Sequence, residues 1–203
     1  MNKHLKRVVI GIWGGRRACR NLSVDAILGV EASCATLADL EKLNRRRLFA
    51  LFLAAPPPDF FLLKGEYRAQ LLGKDPLTWI SNLYIHNLFG PGRWIGKAFF
   101  ATSKEQGRGY NILKADGDKA PISRVRMMDT RMGLSHYDNK VSFHLDYSAY
   151  NKFPVSGMRD EIRKINDNLF IGLGGFKATG GPFMPAPFAL VGPPGKWVGP
   201  DGC

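Results

Sequence analysis

Three side chains suited to proton transfer lie close together in the second half of the chain. His144, Asp146 and Tyr147 stand within one short stretch, and an imidazole that titrates near neutral pH is the usual proton shuttle. If the chain is an enzyme, such as an isomerase or cyclase acting on an apolar substrate, these three are the candidate acid and base. The sequence marks out no further group that would orient the imidazole. Outside this alternative we therefore predict no catalytic residue.

Metal and cofactor chemistry lacks its usual ligand spacing. His136 precedes His144 and Asp146, but no fourth ligand follows at a metal-binding interval, so we predict no metal site. A haem or a pigment would be held by His136 or His144, yet C-x-x-C-H is absent and we predict no cofactor. The motifs G-x-S-x-G, G-x-x-x-x-G-K-[ST] and H-E-x-x-H are absent too, which argues against nucleophile-elbow hydrolases, P-loop nucleotide binding and zincins.

Alternating arginines offer a way to hold an anionic group. Arg124, Arg126 and Arg131 lie along one predicted strand. If Arg124 and Arg126 face inward, they would fix a carboxylate or similar head group, and if they face outward they serve solubility. Both readings stay open, because a buried arginine needs a partner.

The elements that must position these side chains divide into helices followed by strands. A helix is predicted over 35–55, with Thr36 and Asp39 as its capping pair, a second over 65–73, and a third beginning at Asp75 and Pro76. After Gly92 the pattern changes to period two. The predicted strands are 93–100, 110–113, 122–132, 140–147, 161–165, 169–173 and 183–191.

Strand 140–147 has the clearest alternation. Val141, Phe143, Leu145 and Tyr147 share one apolar face, and His144 and Asp146 share the polar one. Seven short strands at regular spacing predict a sandwich or an up-and-down barrel.

The segment from Gly92 to Lys97 narrows this choice. Its sequence, G-R-W-I-G-K, resembles the G-x-W-x-G signature of a bacterial family of small lipocalin-like proteins. Further along stand Pro154-Val155, Asp160 and the run Arg163 to Asp167, followed by Gly172, in an order similar to that family's tail pattern. Over residues 90–191 the resemblance implies an antiparallel, calycin-type β-barrel around an apolar cavity. The fold class predicted is therefore α+β, mainly β, with N-terminal helices.

Composition and charge limit the kinds of protein to which the chain can belong. The chain has 203 residues, 45% of them apolar, which is enough for a core, and no apolar run is long enough for a membrane helix. Its net charge is +12, and half of that excess precedes the first acid, Asp25. This basic leader predicts a transit peptide, a basic arm or a solvated tail. Cys19, Cys34 and Cys203 form no disulfide or zinc pattern. We expect an intracellular protein, mitochondrial, otherwise organellar or cytoplasmic, and not a secreted one.

Four segments follow from these patterns. They are a basic extension (1–30), a helical segment (31–90), the barrel (91–191) and a Pro/Gly-rich tail (192–203). From Gly180 onward the chain holds six of its 13 prolines, which predicts an extended tail over the body rather than a central strand.

Three functions remain open. The first is non-catalytic binding of a lipid, isoprenoid or pigment in the barrel. The second is an accessory subunit of a larger assembly, docked through the basic N-terminus and the tail on other subunits or peripherally on a membrane, and the third is the isomerase or cyclase. We do not expect a nucleic-acid partner, because aromatics do not alternate with the basic residues of the leader. The predicted ligand-binding residues are Trp94, Arg124, Arg126, Phe143, His144, Asp146 and Arg163.

Overall fold

Eight antiparallel strands form one closed barrel, in which each strand pairs with the next and β8 pairs with β1. The computed structural model describes residues 22–73, 90, 92–117, 120–176 and 181–202. This up-and-down closure is the architecture of the lipocalin-like class, as predicted. The strands are β1 (Gly65–Leu71), β2 (Arg93–Ala101), β3 (Gln106–Lys114), β4 (Ile122–Leu134), β5 (Val141–Asp146), β6 (Met158–Asn166), β7 (Leu169–Phe176) and β8 (Gly181–Gly195).

All seven predicted strands are confirmed, with bounds that differ by a few residues at several ends. In β5 the predicted alternation is also confirmed. Phe143 and Leu145 are fully buried among the interior side chains, and His144 points to the outer face. Because the sheet closes on itself, every strand has a hydrogen-bonded neighbour on both sides.

The eighth strand, β1, corrects the sequence-based prediction of a helix over 65–73. Tyr67, Ala69 and Leu71 face the interior, with polar residues between them, so the segment alternates with the period of a strand. Gly65 adopts a positive φ of 86°, and a Cβ there would lie 2.2 Å from the carbonyl oxygen of Gly195. The barrel therefore spans residues 65–195 rather than 91–191.

The predicted extended tail from Gly180 onward is corrected as well, because most of it forms strand β8 and its prolines do not keep it out of the sheet. β1 pairs with it only between Phe188 and Gly195, so Pro182 and Pro185 lie where β7 is its one flanking strand. Pro187 has no amide to donate, but its carbonyl accepts from the Leu72 amide at 2.8 Å. Proline is tolerated where the missing donor is not needed.

Among the described residues, three short α-helices and a 3₁₀ turn precede the barrel. They are α1 (Val24–Leu28), the turn Ala32–Cys34, α2 (Leu37–Glu41) and α3 (Arg45–Ala54). The predicted helix 35–55 is thus two helices, because Asn44 caps α3 through a bond from the Arg47 amide. The Thr36–Asp39 capping box is confirmed. The predicted helix at Asp75 and the first 21 residues of the leader lie outside the described residues.

Two large hydrophobic cores lie among the described residues. The interior core lies inside the barrel and includes Tyr67, Trp94, Phe99, Phe143 and other large side chains. The outer core lies between the helices and the outer faces of β6–β8, where apolar residues of these strands contact α1–α3. Among the described residues, no helix is long and apolar enough to cross a membrane.

The chain after β8 returns across the outer face of β2 and β3. The Trp197 ring lies 4.6 Å from the ring of Tyr110 and 5.4 Å from that of Phe100. The Asp201 carboxylate then accepts from the Arg124 amide at 2.7 Å. These contacts cover an apolar surface that β2 and β3 would otherwise expose.

Candidate functional site

A backbone irregularity in β2 directs the side chain of a lysine into the barrel. Trp94 pairs with Leu113 and Gly96 pairs with Ile112, so β2 carries one extra residue at this point. The bulge places Lys97 on the same side of the sheet as Trp94, which simple alternation would not allow. Gly96 is required there, because a Cβ would lie 2.6 Å from the carbonyl oxygen of Tyr67.

Lys97 is the centre of a buried group of polar side chains, which we call the interior polar cluster. The cluster consists of Trp94, Lys97, Asn111, Tyr147 and Asp160. The Lys97 amine donates to Asp160 Oδ2 at 2.9 Å, to Asn111 Oδ1 at 2.9 Å and to the Tyr147 hydroxyl at 2.5 Å. All three of its N–H groups are thus used. No member of the cluster is more than 9% exposed.

The rest of the cluster is bonded almost completely. The Tyr147 hydroxyl donates to Asp160 Oδ2 at 2.9 Å, and the Trp94 indole donates to Asn111 Oδ1 at 3.0 Å. The Lys97 amine also lies 5.2–5.3 Å from the ring centres of Trp94, Tyr147 and Phe188, which is within range of cation–π attraction.

One atom of the cluster stands apart. Asp160 Oδ1 is buried and has no hydrogen-bond partner among the described residues. It lies beside Gly174, where a Cβ would come within 3.3 Å of it. A buried carboxylate oxygen without a donor costs roughly 1–3 kcal/mol. The position is therefore suited to a hydrogen-bond donor from outside the chain.

Burial sets the proton affinities within the cluster. It lowers the pKa of Lys97, and the Asp160 carboxylate opposes that shift. It raises the pKa of Tyr147 well above the ordinary value, and the Asp160 charge adds to the shift. The tyrosine is thereby kept as a hydrogen-bond donor.

Among the predicted site residues, three side chains face the interior. Trp94 and Tyr147 belong to the interior polar cluster, and Phe143 packs against Phe60 and Phe99 at 5.6 and 5.5 Å between ring centres. These three line one continuous aromatic interior.

The predicted arginines of β4 do not both point inward. Arg124 lies on the outer face, where its Nε donates to Glu66 at 2.7 Å. Arg126 has a positive φ of 58°, and its backbone carbonyl accepts from the side-chain amide of Asn111 at 3.5 Å. The link from Arg126 to the interior cluster therefore runs through its main chain.

His144, Asp146 and Arg163 lie outside the barrel. Burial lowers the pKa of His144. Asp146 pairs with Arg159 at 3.1 Å on the surface. Arg163 is fully buried under α3, where it binds Asp138 at 2.6 Å and stacks over Phe52. The structure therefore separates His144 and Asp146 from Tyr147, which points into the barrel.

Three residues of the cluster were missed by the sequence analysis. Lys97 was missed because the bulge reverses its expected direction. Asn111 lies between Tyr110 and Ile112, which the apolar pattern would place inside but which pack outward beneath Trp197. Asp160 was missed because strand 161–165 was predicted too short, whereas Met158, Asp160 and Ile162 all alternate inward along β6.

Comparison with known proteins supports the fold. No protein-family model and no curated protein matches the sequence. One solved structure, the crystal structure of a protein from Thermomonospora curvata, is similar, with a TM-score of 0.52 and 17% identity over 76% of this chain and 91% of that chain. At this identity the similarity shows a shared fold alone. The predicted antiparallel barrel is confirmed by the strand order of this chain, and the resemblance to the G-x-W-x-G family stays a prediction.

Proposed function

We propose that the barrel binds a small, mainly apolar molecule and that the interior polar cluster receives its polar end. The observation that carries this proposal is the unpartnered Oδ1 of Asp160, a buried acceptor set in an aromatic interior. Binding sites for small molecules are mostly apolar, with a few placed polar groups that fix orientation. The ligand we infer has a hydroxyl or N–H donor at one end.

The neighbouring contacts define which end of the ligand is recognised. Lys97 has already used its three donors within the cluster, so it is not available to an anionic head group without giving up a partner. Asp160 Oδ1 accepts and cannot donate while the carboxylate is ionised. A neutral donor therefore fits better than a carboxylate.

The test uses a matched pair of fluorescent probes. We expect 2-naphthol, which can donate a hydrogen bond, to bind the purified full chain at least tenfold more tightly than 2-methoxynaphthalene, which cannot. A denatured extract of the purified protein, analysed by mass spectrometry, should also contain an apolar compound with a hydroxyl or amine. Equal affinity for the two probes, or no binding of either, would refute the proposal.

A glycine variant tests the position without removing a charge. Gly174→Ala places a methyl group beside Asp160 Oδ1, so we expect it to weaken 2-naphthol binding at least tenfold. Gly195→Ala is the matched control, because a Cβ there meets only Glu66 at 3.8 Å. Its affinity should equal that of the wild type.

Proton transfer on an apolar substrate is a second candidate, favoured by the lowered pKa of Lys97 beside Tyr147. The unpartnered Oδ1 of Asp160 would take a proton from the α-carbon and return it to the γ-carbon, while the Lys97 ammonium and the Tyr147 hydroxyl would stabilise the oxygen of the enolate between the two transfers. The probe is conversion of 3-cyclohexenone to its conjugated isomer, followed by ultraviolet absorbance. Turnover that Lys97→Met abolishes supports this function, and no turnover above buffer removes it. The accessory-subunit hypothesis depends largely on the basic leader and stays a prediction.

A further inference from the structure

Two histidines and a glutamate meet on the outer face of the barrel. His144 of β5 stands directly across from Glu161 of β6 in the strand register, and His136 lies in the connection between β4 and β5. One ligand atom from each of the three lies within 4.8 Å of the others. This group, the outer His–Glu cluster, lies on the opposite side of the sheet from the interior polar cluster.

Two buried atoms of the outer His–Glu cluster lack a hydrogen-bond partner. His144 Nε2 and Glu161 Oε2 make no hydrogen bond within the described part of the chain, although their residues are only 6% and 2% exposed. A buried ring nitrogen and a buried carboxylate oxygen without partners are positions that a bound ion would satisfy.

The third residue supplies an approach from solvent. The His136 side chain is 54% exposed, and its Nδ1 and backbone amide both lie 2.9 Å from Glu161 Oε1. A ring at the surface moves at little cost, whereas His144 and Glu161 are fixed by the sheet. His136 can therefore close on an ion that the two buried residues already face.

We propose that His136, His144 and Glu161 form a site for a divalent transition-metal ion of the zinc type. Two imidazoles and one carboxylate are a known ligand set for zinc, with water in the remaining position. In a tetrahedral site with bonds near 2.1 Å, the ligand atoms lie roughly 3.4 Å apart. The present separations of at most 4.8 Å exceed this by no more than about 1.4 Å, a difference that small side-chain rotations can remove.

The charges around the site limit its affinity. Glu161 is the one carboxylate in the set, and the Arg131 guanidinium lies nearby, because both it and the His144 ring come within 3.2 Å of a Cβ built on Gly133. Tyr137 is also close: burial raises its pKa, and the Glu161 charge adds to that shift. One negative and one positive neighbour give the ion little net attraction, so we expect micromolar rather than nanomolar binding.

The experiment is a zinc titration of the metal-stripped full chain in competition with a chromophoric chelator. We expect one Zn²⁺ per chain, and a loss of at least tenfold in affinity in both His136→Ala and Glu161→Gln. Asp146→Asn is the matched control, because this carboxylate lies on the same face of β5 and pairs with Arg159. Its affinity should stay within twofold of the wild type.

The spectrum of the Co²⁺-loaded chain adds a readout of geometry. A four-coordinate site should give strong visible absorption bands, which His136→Ala should remove. Absence of saturable 1:1 binding overturns the proposal, and so does binding that neither variant weakens, since the ion would then be held elsewhere in the chain. Because His136 is exposed, its variant keeps the test decisive even if Glu161→Gln does not fold. The outcome is independent of what binds inside the barrel.

Discussion

Removing Lys97 should leave a buried charge that the barrel cannot satisfy. The Lys97–Asp160 pair is separated by 2.9 Å, with both side chains no more than 3% exposed. At an effective dielectric constant of about 20, their attraction is roughly 6 kcal/mol, and it is offset by a desolvation cost of several kcal/mol for each ion. Lys97→Met keeps the volume but removes the cation. We expect its free energy of unfolding to fall by about 3–5 kcal/mol.

The opposite change, Asp160→Asn, should cost less and should depend on pH. Burial already lowers the pKa of Lys97, and the Asp160 charge is what opposes that shift. Without the carboxylate, the pKa of the buried amine falls further below that of the unfolded chain. The unfolded lysine keeps its proton up to pH about 10.4, so the unfolded chain binds more protons and stability rises with pH over this window. We therefore expect the penalty of Asp160→Asn to be smaller at pH 9.5 than at pH 7.

The double variant decides whether the two residues act as a pair. Once one charge is gone, removing the other relieves the buried ion, so the combined loss should be smaller than the sum of the single losses by at least about 2 kcal/mol. Urea unfolding followed by circular dichroism measures all four proteins. Additive losses, or single variants within about 0.5 kcal/mol of the wild type, would show that the pair is not a buried, coupled charge pair.

Three further predictions concern other contacts. Arg163→Met removes the cation buried against Asp138, so we expect a loss of about 3 kcal/mol in urea unfolding; a loss below about 1 kcal/mol would show that this buried pair does not stabilise the fold. The side chain of Lys42, with Thr36 at the helix cap, lowers the pKa of Asp39 from 3.8 to about 2, so its stabilisation is present above pH 4 and lost as pH falls through 2. Asp39→Ala should flatten that part of the pH–Tm profile, and an unchanged profile would count against the cap. Tyr147 keeps its proton at high pH while an unfolded tyrosine loses it near pH 10, so stability should fall as pH rises above 10, and Tyr147→Phe should reduce that slope between pH 10 and 11.

The sequence predicts the barrel well where each strand repeats with period two. In β5, Phe143 and Leu145 belong to the interior core while His144 between them faces outward, so the two faces follow the predicted alternation although His144 is buried as well. The capping pair at Thr36 is equally local, since it needs only a hydroxyl and an acid three residues apart. Features that depend only on residues close together in the sequence can therefore be predicted from the sequence alone.

Features that depend on pairing between distant segments were not accessible. β1 was predicted as a helix because Tyr67, Ala69 and Leu71 are too few and too mixed in size to mark an apolar face clearly. Its pairing with β2 and β8 is what makes it a strand. The outer His–Glu cluster could not be recognised from the sequence for a similar reason. Glu161 is 17 positions from His144 in the sequence but directly opposite it across β5 and β6. Strand register, not spacing along the chain, brings these side chains together.

The interior polar cluster depends on two bulges, and this explains why alternation alone cannot reveal it. In β2 the extra residue near Gly96 turns Lys97 inward. In β4 a second bulge lies opposite Gly109 to Asn111 of β3. It includes Arg126, which has a positive φ and whose backbone carbonyl accepts from the side-chain amide of Asn111. A regular barrel would have placed an alanine, Ala98, where Lys97 now lies. Bulges interrupt the ladder and commonly re-aim side chains at functional positions. The two bulges meet at one buried lysine and its asparagine partner. This supports the proposal that the cluster recognises a ligand inside the barrel, because a regular apolar interior would have been the simpler way to stabilise the same fold.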